Sequence, residues 1–266
     1  MTDQDRPARR VLVHADAGAL ARATARRFVA AVREALDARD VAHVSITGGT
    51  IGIEVLEAVA RLEDIAAPGQ GLDWRRIHVW WGDERFVPAG DPDRNAGQAA
   101  GALLDGVPIP DENVHPFPAS DEGLGLDEAA VAFAGVLAAH ATEGSPVAAP
   151  VFDVQLLGVG PDGHVDSLFP GRPELAEREA TVLPVRDSPK PPPLRLTLTY
   201  PVVNAARRNW LVLNGAGKAD VLARAVAGAP ASEVPLAGVS GTVETLVLTD
   251  TEGASGLPAG ATEIVA

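Results

Sequence analysis

Apolar runs of strand length alternate with helix-period segments along this chain, and that alternation admits few folds. Residues 11–14 form a short apolar run. Residues 17–39 follow with Leu20, Ala23, Phe28, Val32 and Leu36 on one helical face. Residues 41–47 read as a strand ending in Thr47-Gly48-Gly49-Thr50, and residues 51–65 continue as a helix. Strand character returns at 77–81, 114–115, 151–157, 182–185, 194–199, 210–213 and 245–248, the last ahead of a Gly-rich tail. Helical segments are expected at 98–104, 128–140, 174–179, 201–206 and 219–227. Parallel strands need a crossover connection, which a helix between strands supplies. The pattern therefore predicts an α/β fold: three layers, Rossmann-like, a largely parallel sheet with helices on both faces. No linker or repeat divides residues 1–266, so one domain is expected, with room for a smaller lobe near 172–210.

Composition narrows the partners. The net charge is −14, which repels nucleic acid and anionic membrane surfaces. The chain has no cysteine, hence no disulfide framework and no thiolate metal site. Its start, MTDQDRPARR, is polar and unlike a signal peptide, and no apolar stretch approaches membrane-spanning length. A cytoplasmic location is the expectation. Of 22 basic residues only Lys190 and Lys218 are lysines. The surplus of arginine fits a GC-rich genome, so a lysine in a particular setting carries more information than usual.

Residues 151–171 hold the densest chemistry. The apolar run ends at Gly158. Gly160, Pro161 and Gly163 then turn the chain, and the tip carries Asp162 and His164. A histidine on a glycine turn at a strand's C-terminal end stands where open α/β sheets bind ligands; a hairpin loop with a solvated histidine is the plainer alternative. Gly158 to Gly163 also matches G-x-G-x-x-G. A dinucleotide site would need a full helix directly after it, whereas Pro170-Gly171 stops the chain too early.

Three other turns follow strands. Thr47-Gly48-Gly49-Thr50 can aim backbone N–H groups at an anion, or serve only as a strand–helix connection with a capping threonine. Asp83-Glu84-Arg85 places three charges after a buried-looking strand, either as a site or as a solvated turn. Asn214 to Lys218 opens a helix with a lysine, without the spacing or the Ser/Thr of a P-loop. Residues 188–193 hold four prolines and must be extended, and the alternation at 194–199 puts Arg195 on a polar face.

Taken in order, TGGT, WWGDERFVP with DPDRN, LLGVGPDGHVDSLFPG, RLTLTYPVVNAAR and LVLNGAGKADVL resemble the 6-phosphogluconolactonase family, over about residues 41–227. The sister glucosamine-6-phosphate deaminases share the D-G-H loop but continue it with Asn-Glu, where this chain has Ser167-Leu168-Phe169-Pro170. The resemblance implies hydrolysis of 6-phospho-D-glucono-1,5-lactone to 6-phosphogluconate in the oxidative pentose phosphate pathway. A deaminase-like isomerase and a non-catalytic sugar-phosphate-binding regulator are the alternatives. It further implies His164, Asp162, Asp83 and Arg85 as catalytic residues, with Asp162 or Asp83 orienting His164. Gly48, Gly49, Thr50, Arg85, Arg195 and Lys218 would bind phosphate. The partner is a small sugar-phosphate lactone, with no nucleic acid and no membrane; no cofactor or metal is expected, the histidines being scattered. A monomer or weak homodimer is expected. The chain departs from the family's usual pattern at Thr47 to Gly52, where Ser-Gly-Gly-Ser-x-Pro is frequent, at Arg94, and at Asp166. Asp166 adds a negative charge near a phosphorylated substrate, tolerable if it points away or pairs with an arginine.

Overall fold

The computed structural model describes residues 6–67, 69–258 and 260–264; residues 1–5 of the polar start lie outside them. In chain order the strands are β1 (Arg10–His14), β2 (Ala42–Ile46), β3 (Ile77–Trp81), β4 (Asp83–Arg85), β5 (Val114–His115), β6 (Val154–Gly158), β7 (Val182–Val185), β8 (Arg195–Leu198), β9 (Arg208–Leu213), β10 (Glu244–Asp250) and β11 (Glu263–Ile264). The α-helices are α1 (Ala17–Ala38), α2 (Thr50–Asp64), α3 (Asn95–Ala102), α4 (Leu126–Ala139), α5 (Tyr200–Val203) and α6 (Ala219–Val226).

Eight strands form one sheet in the order β11-β1-β10-β9-β6-β2-β3-β5, and every pairing in it is parallel. Helices surround it, as the strand–helix alternation predicts. A parallel sheet covered by helices must be apolar, and β2, β3, β6, β9 and β10 are almost wholly buried. Trp80, Trp81, Trp210, Phe28, Phe133 and Phe152 fill the core at no more than 2% exposure. Helix α1 turns Leu20, Phe28, Val32 and Leu36 inward as its periodicity requires, and its N-cap Asp16 accepts from the Ala19 amide at 2.7 Å.

The elements that differ from the sequence reading differ for tertiary reasons. Asp83–Arg85 is a short strand rather than a turn: it pairs antiparallel with β8, which pairs in turn with β7. Helix α3 starts three residues before the expected 98, because the buried Glu84 carboxylate accepts the amides of Asn95 and Ala96 at 2.8 and 2.9 Å. That satisfies two first-turn donors that have no partner within the helix. Residues 174–179 yield only a 3₁₀ turn over Pro173–Ala176. The last strand is β11, which adds to the sheet edge beyond β1. On β8, Arg195 is buried at 5% exposure, so the expected polar face is covered.

What positions the site is the strand order. β9, β6, β2 and β3 are consecutive neighbours and run parallel, so their C-terminal ends share one edge of the sheet. The segments after them, three turns at 214–218, 159–164 and 47–50 and the short strand β4 after Gly82, therefore stand side by side.

Candidate active site

These four segments enclose a cleft of about 370 Å³ whose lining includes Gly48, Gly49, Thr50, Asp83, Arg85, His164, Arg195 and Lys218. Asp162 stands directly behind His164. Local chemistry shapes each wall. Gly49 takes φ 78° as the residue before α2, a conformation open to glycine and strained for other residues. A Cβ at Gly48 would run into Asn95 Oδ1, and one at Gly160 would run into the His164 ring. The first amides of α2 have no intrahelical acceptor and no side-chain cap, so they remain available to an anion.

His164 Nδ1–H donates to Asp162 Oδ1 at 2.5 Å. Between the two carboxylates the sequence offered, Asp162 is thus the one that holds the ring. This bond leaves the lone pair of the neutral imidazole on Nε2. Burial alone would raise the Asp162 carboxyl. The hydrogen bond from His164, the charge of its protonated ring and that of Lys190 outweigh burial and hold Asp162 well below the usual carboxylate range. Asp83 instead accepts from Ser167 Oγ at 2.6 Å and lies 3.7 Å from Arg195 Nη1.

Arg85 donates through Nη1 to Asn95 Oδ1, while its buried Nε has no hydrogen-bond partner. A buried guanidinium N–H without an acceptor invites an anionic ligand. Lys218 Nζ donates to the Val159 carbonyl at 2.6 Å. Burial first, and then repulsion from Lys190, lowers its ammonium below the usual lysine value. Arg195 spends Nε and Nη2 on the carbonyls of Lys190, Pro191 and Pro192, at 3.1–3.3 Å. It thereby folds the proline loop over the cleft.

Two contributors escaped the sequence reading. Lys190 looked like a loop lysine, yet its Nζ lies 3.4 Å from both Asp162 Oδ1 and His164 Nδ1. The chain's only two lysines thus line one cleft; lysine scarcity was the signal for both. Asn95 bridges Arg85 and the Asp83 carbonyl, and Glu84 sets the helix that carries it.

Comparisons with known proteins identify the family. The family model described as glucosamine-6-phosphate isomerases/6-phosphogluconolactonase matches residues 15–248. The chain is 46% identical to a 6-phosphogluconolactonase of Mycobacterium tuberculosis, covering 91% of this chain and 96% of that one. It is 45% identical to one of Streptomyces coelicolor, covering 93% and 94%. The solved structure of 6-phosphogluconolactonase from Trypanosoma brucei superposes with a TM-score of 0.78 at 28% identity, over 94% of this chain and 99% of that one. The chain belongs to the glucosamine-6-phosphate isomerase/6-phosphogluconolactonase family.

Within this family fold the departure at Asp166 resolves in a way the sequence did not offer. Asp166 neither points away nor meets an arginine. It is buried against Gly82, where a Cβ would strike its carboxyl, at φ 50° and with no partner for either oxygen. Burial, and next the charge of Asp83, raises its carboxyl well above the usual range, which favours the neutral acid in the cleft wall. A carboxyl raised on folding gives stability that is full below its unfolded pKa of about 3.9 and is lost as pH rises through the folded value. Melting temperatures should therefore fall with rising pH on the alkaline side of pH ~4, and Asp166→Asn should flatten that fall. An unchanged pH slope in the variant would mean that Asp166 is ionised in the fold.

The expectation of scattered histidines is also overturned. Ring nitrogens of His78, His115 and His140 lie within 4.8 Å of one another, and His43 packs on His78 with centroids 5.0 Å apart. Burial, followed by mutual repulsion, lowers His43 to about 3 and His115 to about 4. This cluster sits at the N-terminal ends of β2 and β3, at the far end of the sheet from the cleft. No helix among the described residues is long and apolar enough to cross a membrane.

Proposed function

We propose that this chain hydrolyses 6-phospho-D-glucono-1,5-lactone to 6-phosphogluconate, the reaction named for its 6-phosphogluconolactonase relatives. The observation that carries the reading is the cleft itself. A hydrogen-bonded His164–Asp162 pair shares it with both lysines, the unpartnered Nε of Arg85 and the uncapped start of α2. Cations and free amides suit a sugar phosphate, and an imidazole with a held tautomer suits proton transfer to and from water.

In this proposal Nε2 of His164 takes a proton from water as the oxygen adds to the lactone carbonyl. Asp162 stabilises the imidazolium that forms. Cationic side chains of the cleft stabilise the oxyanion. The bond to the ring oxygen then breaks, and His164 returns its proton to that oxygen. The new carboxylic acid ionises, so each turnover releases one proton. Gly48, Gly49, Thr50, Arg85 and Lys218 supply phosphate contacts, and Arg195 acts by holding the loop that carries Lys190. The enzyme works in the cytoplasm as a monomer or weak homodimer. The experiment is lactone hydrolysis followed by proton release against the spontaneous background. A rate no faster than that background would remove the lactonase reading and leave a binding protein.

Lys218→Ala should weaken 6-phosphogluconate binding by one charge-assisted hydrogen bond, about 1.5–3 kcal/mol, with little change in folding stability. Calorimetric titration with 6-phosphogluconate and with gluconate separates the roles. Equal loss for both ligands, or none for either, would take Lys218 out of the phosphate site.

A further inference from the structure

We infer that His78, His115 and His140 form a binding site for a divalent transition metal of the Zn²⁺ class, at the end of the sheet remote from the cleft. Three side chains each offer one ring nitrogen, and these atoms lie within 4.8 Å of one another. Around a tetrahedral ion with Zn–N of about 2.0–2.1 Å, ligand nitrogens stand about 3.3 Å apart. His78 Nδ1 and His115 Nε2 are now 2.8 Å apart, so that pair opens by about half an ångström and the remaining separations close by no more than about 1.5 Å.

The surroundings are those of a built site. His140 donates Nδ1–H to the Val136 carbonyl at 3.0 Å, which leaves the Nε2 lone pair for a ligand. The Trp80 indole lies on the His115 ring at 3.9 Å between centroids and fixes its plane. Trp80 Nε1 also donates to His43 Nδ1, which occupies that nitrogen of the fourth histidine. His78 and His140 are partly exposed, so an ion can enter from solvent. The proton shared by His78 and His115 moves to the far nitrogen of its ring, so both imidazoles ligate in the neutral form. A set of nitrogens without carboxylates suits Zn²⁺ or its neighbours over Mg²⁺ or Ca²⁺. With three protein ligands the fourth position is left to water. A bound ion would tie the two-residue edge strand β5 and the end of α4 to β3.

The test uses the full chain after chelator treatment, titrated calorimetrically with ZnCl₂ and melted with and without Zn²⁺. One equivalent should bind and the melting temperature should rise. His140→Asn and His78→Gln should each lose at least ~10-fold in affinity, together with the thermal shift, while lactone hydrolysis is unchanged. His164→Ala should bind Zn²⁺ like the wild type. No saturable binding, undiminished affinity in both histidine variants, or loss of binding in His164→Ala would overturn the site; the last would place the ion in the cleft.

Discussion

Replacing His164 with alanine should lower kcat at least ~100-fold, the lower range for general acid–base catalysis, while 6-phosphogluconate still binds. The ring is a separable part of the cleft. It is held through Nδ1 by Asp162 and seated against Gly160, whose missing side chain leaves the space. The residues proposed to bind phosphate hang on other elements: Gly48 to Thr50 before and at the start of α2, Arg85 on β4, Lys218 ahead of α6. Truncating the imidazole leaves Lys190 beside Asp162, at 3.4 Å, so the remaining carboxylate is not left without a partner. Binding should therefore survive when proton transfer does not. Proton-release kinetics together with product titration would decide it. A variant with the wild-type rate would make His164 a bystander, and one that also failed to bind 6-phosphogluconate would make it a ligand contact.

Unphosphorylated gluconolactone should be poorer than the 6-phosphate by at least ~100-fold in kcat/KM. Two charge-assisted contacts at the low end of their range sum to about 3 kcal/mol, roughly 150-fold. The phosphate does not react, so its contacts act by positioning the lactone and lowering the barrier. Arg85 Nε, Lys218, Lys190 and the first amides of α2 all line this cleft of a chain whose net charge is −14, so the cationic concentration there is local. Raising salt should narrow the difference between the two substrates, because charge–charge attraction is screened. Equal kcat/KM for the two lactones would sink the phosphate assignment for the Gly48–Thr50 turn, whatever the fate of His164.

The sequence by itself determined the architecture and the turns. Strand–helix alternation is a local pattern, and a parallel sheet follows from it. Gly49, Gly163 and Gly215 all adopt positive φ, a demand the chain expresses residue by residue. His164 was legible for the same reason, since the turn that presents it is built from its own neighbours. Only the tertiary structure decided which side chains meet. Glu84 looked like one of three site charges and instead caps α3 from a distance. Lys190 reached the His164–Asp162 pair because Arg195 on β8 binds the carbonyls of the proline loop. The Asp166 carboxyl is raised by burial and by Asp83, and neither cause is written beside it in the chain. The histidines met for the plainest reason: register pairs His43 with His78 and Trp80 with His115, and α4 ends against them. Local geometry follows from local residues, whereas proximity across strands depends on register and strand order, and these are set when the whole core packs.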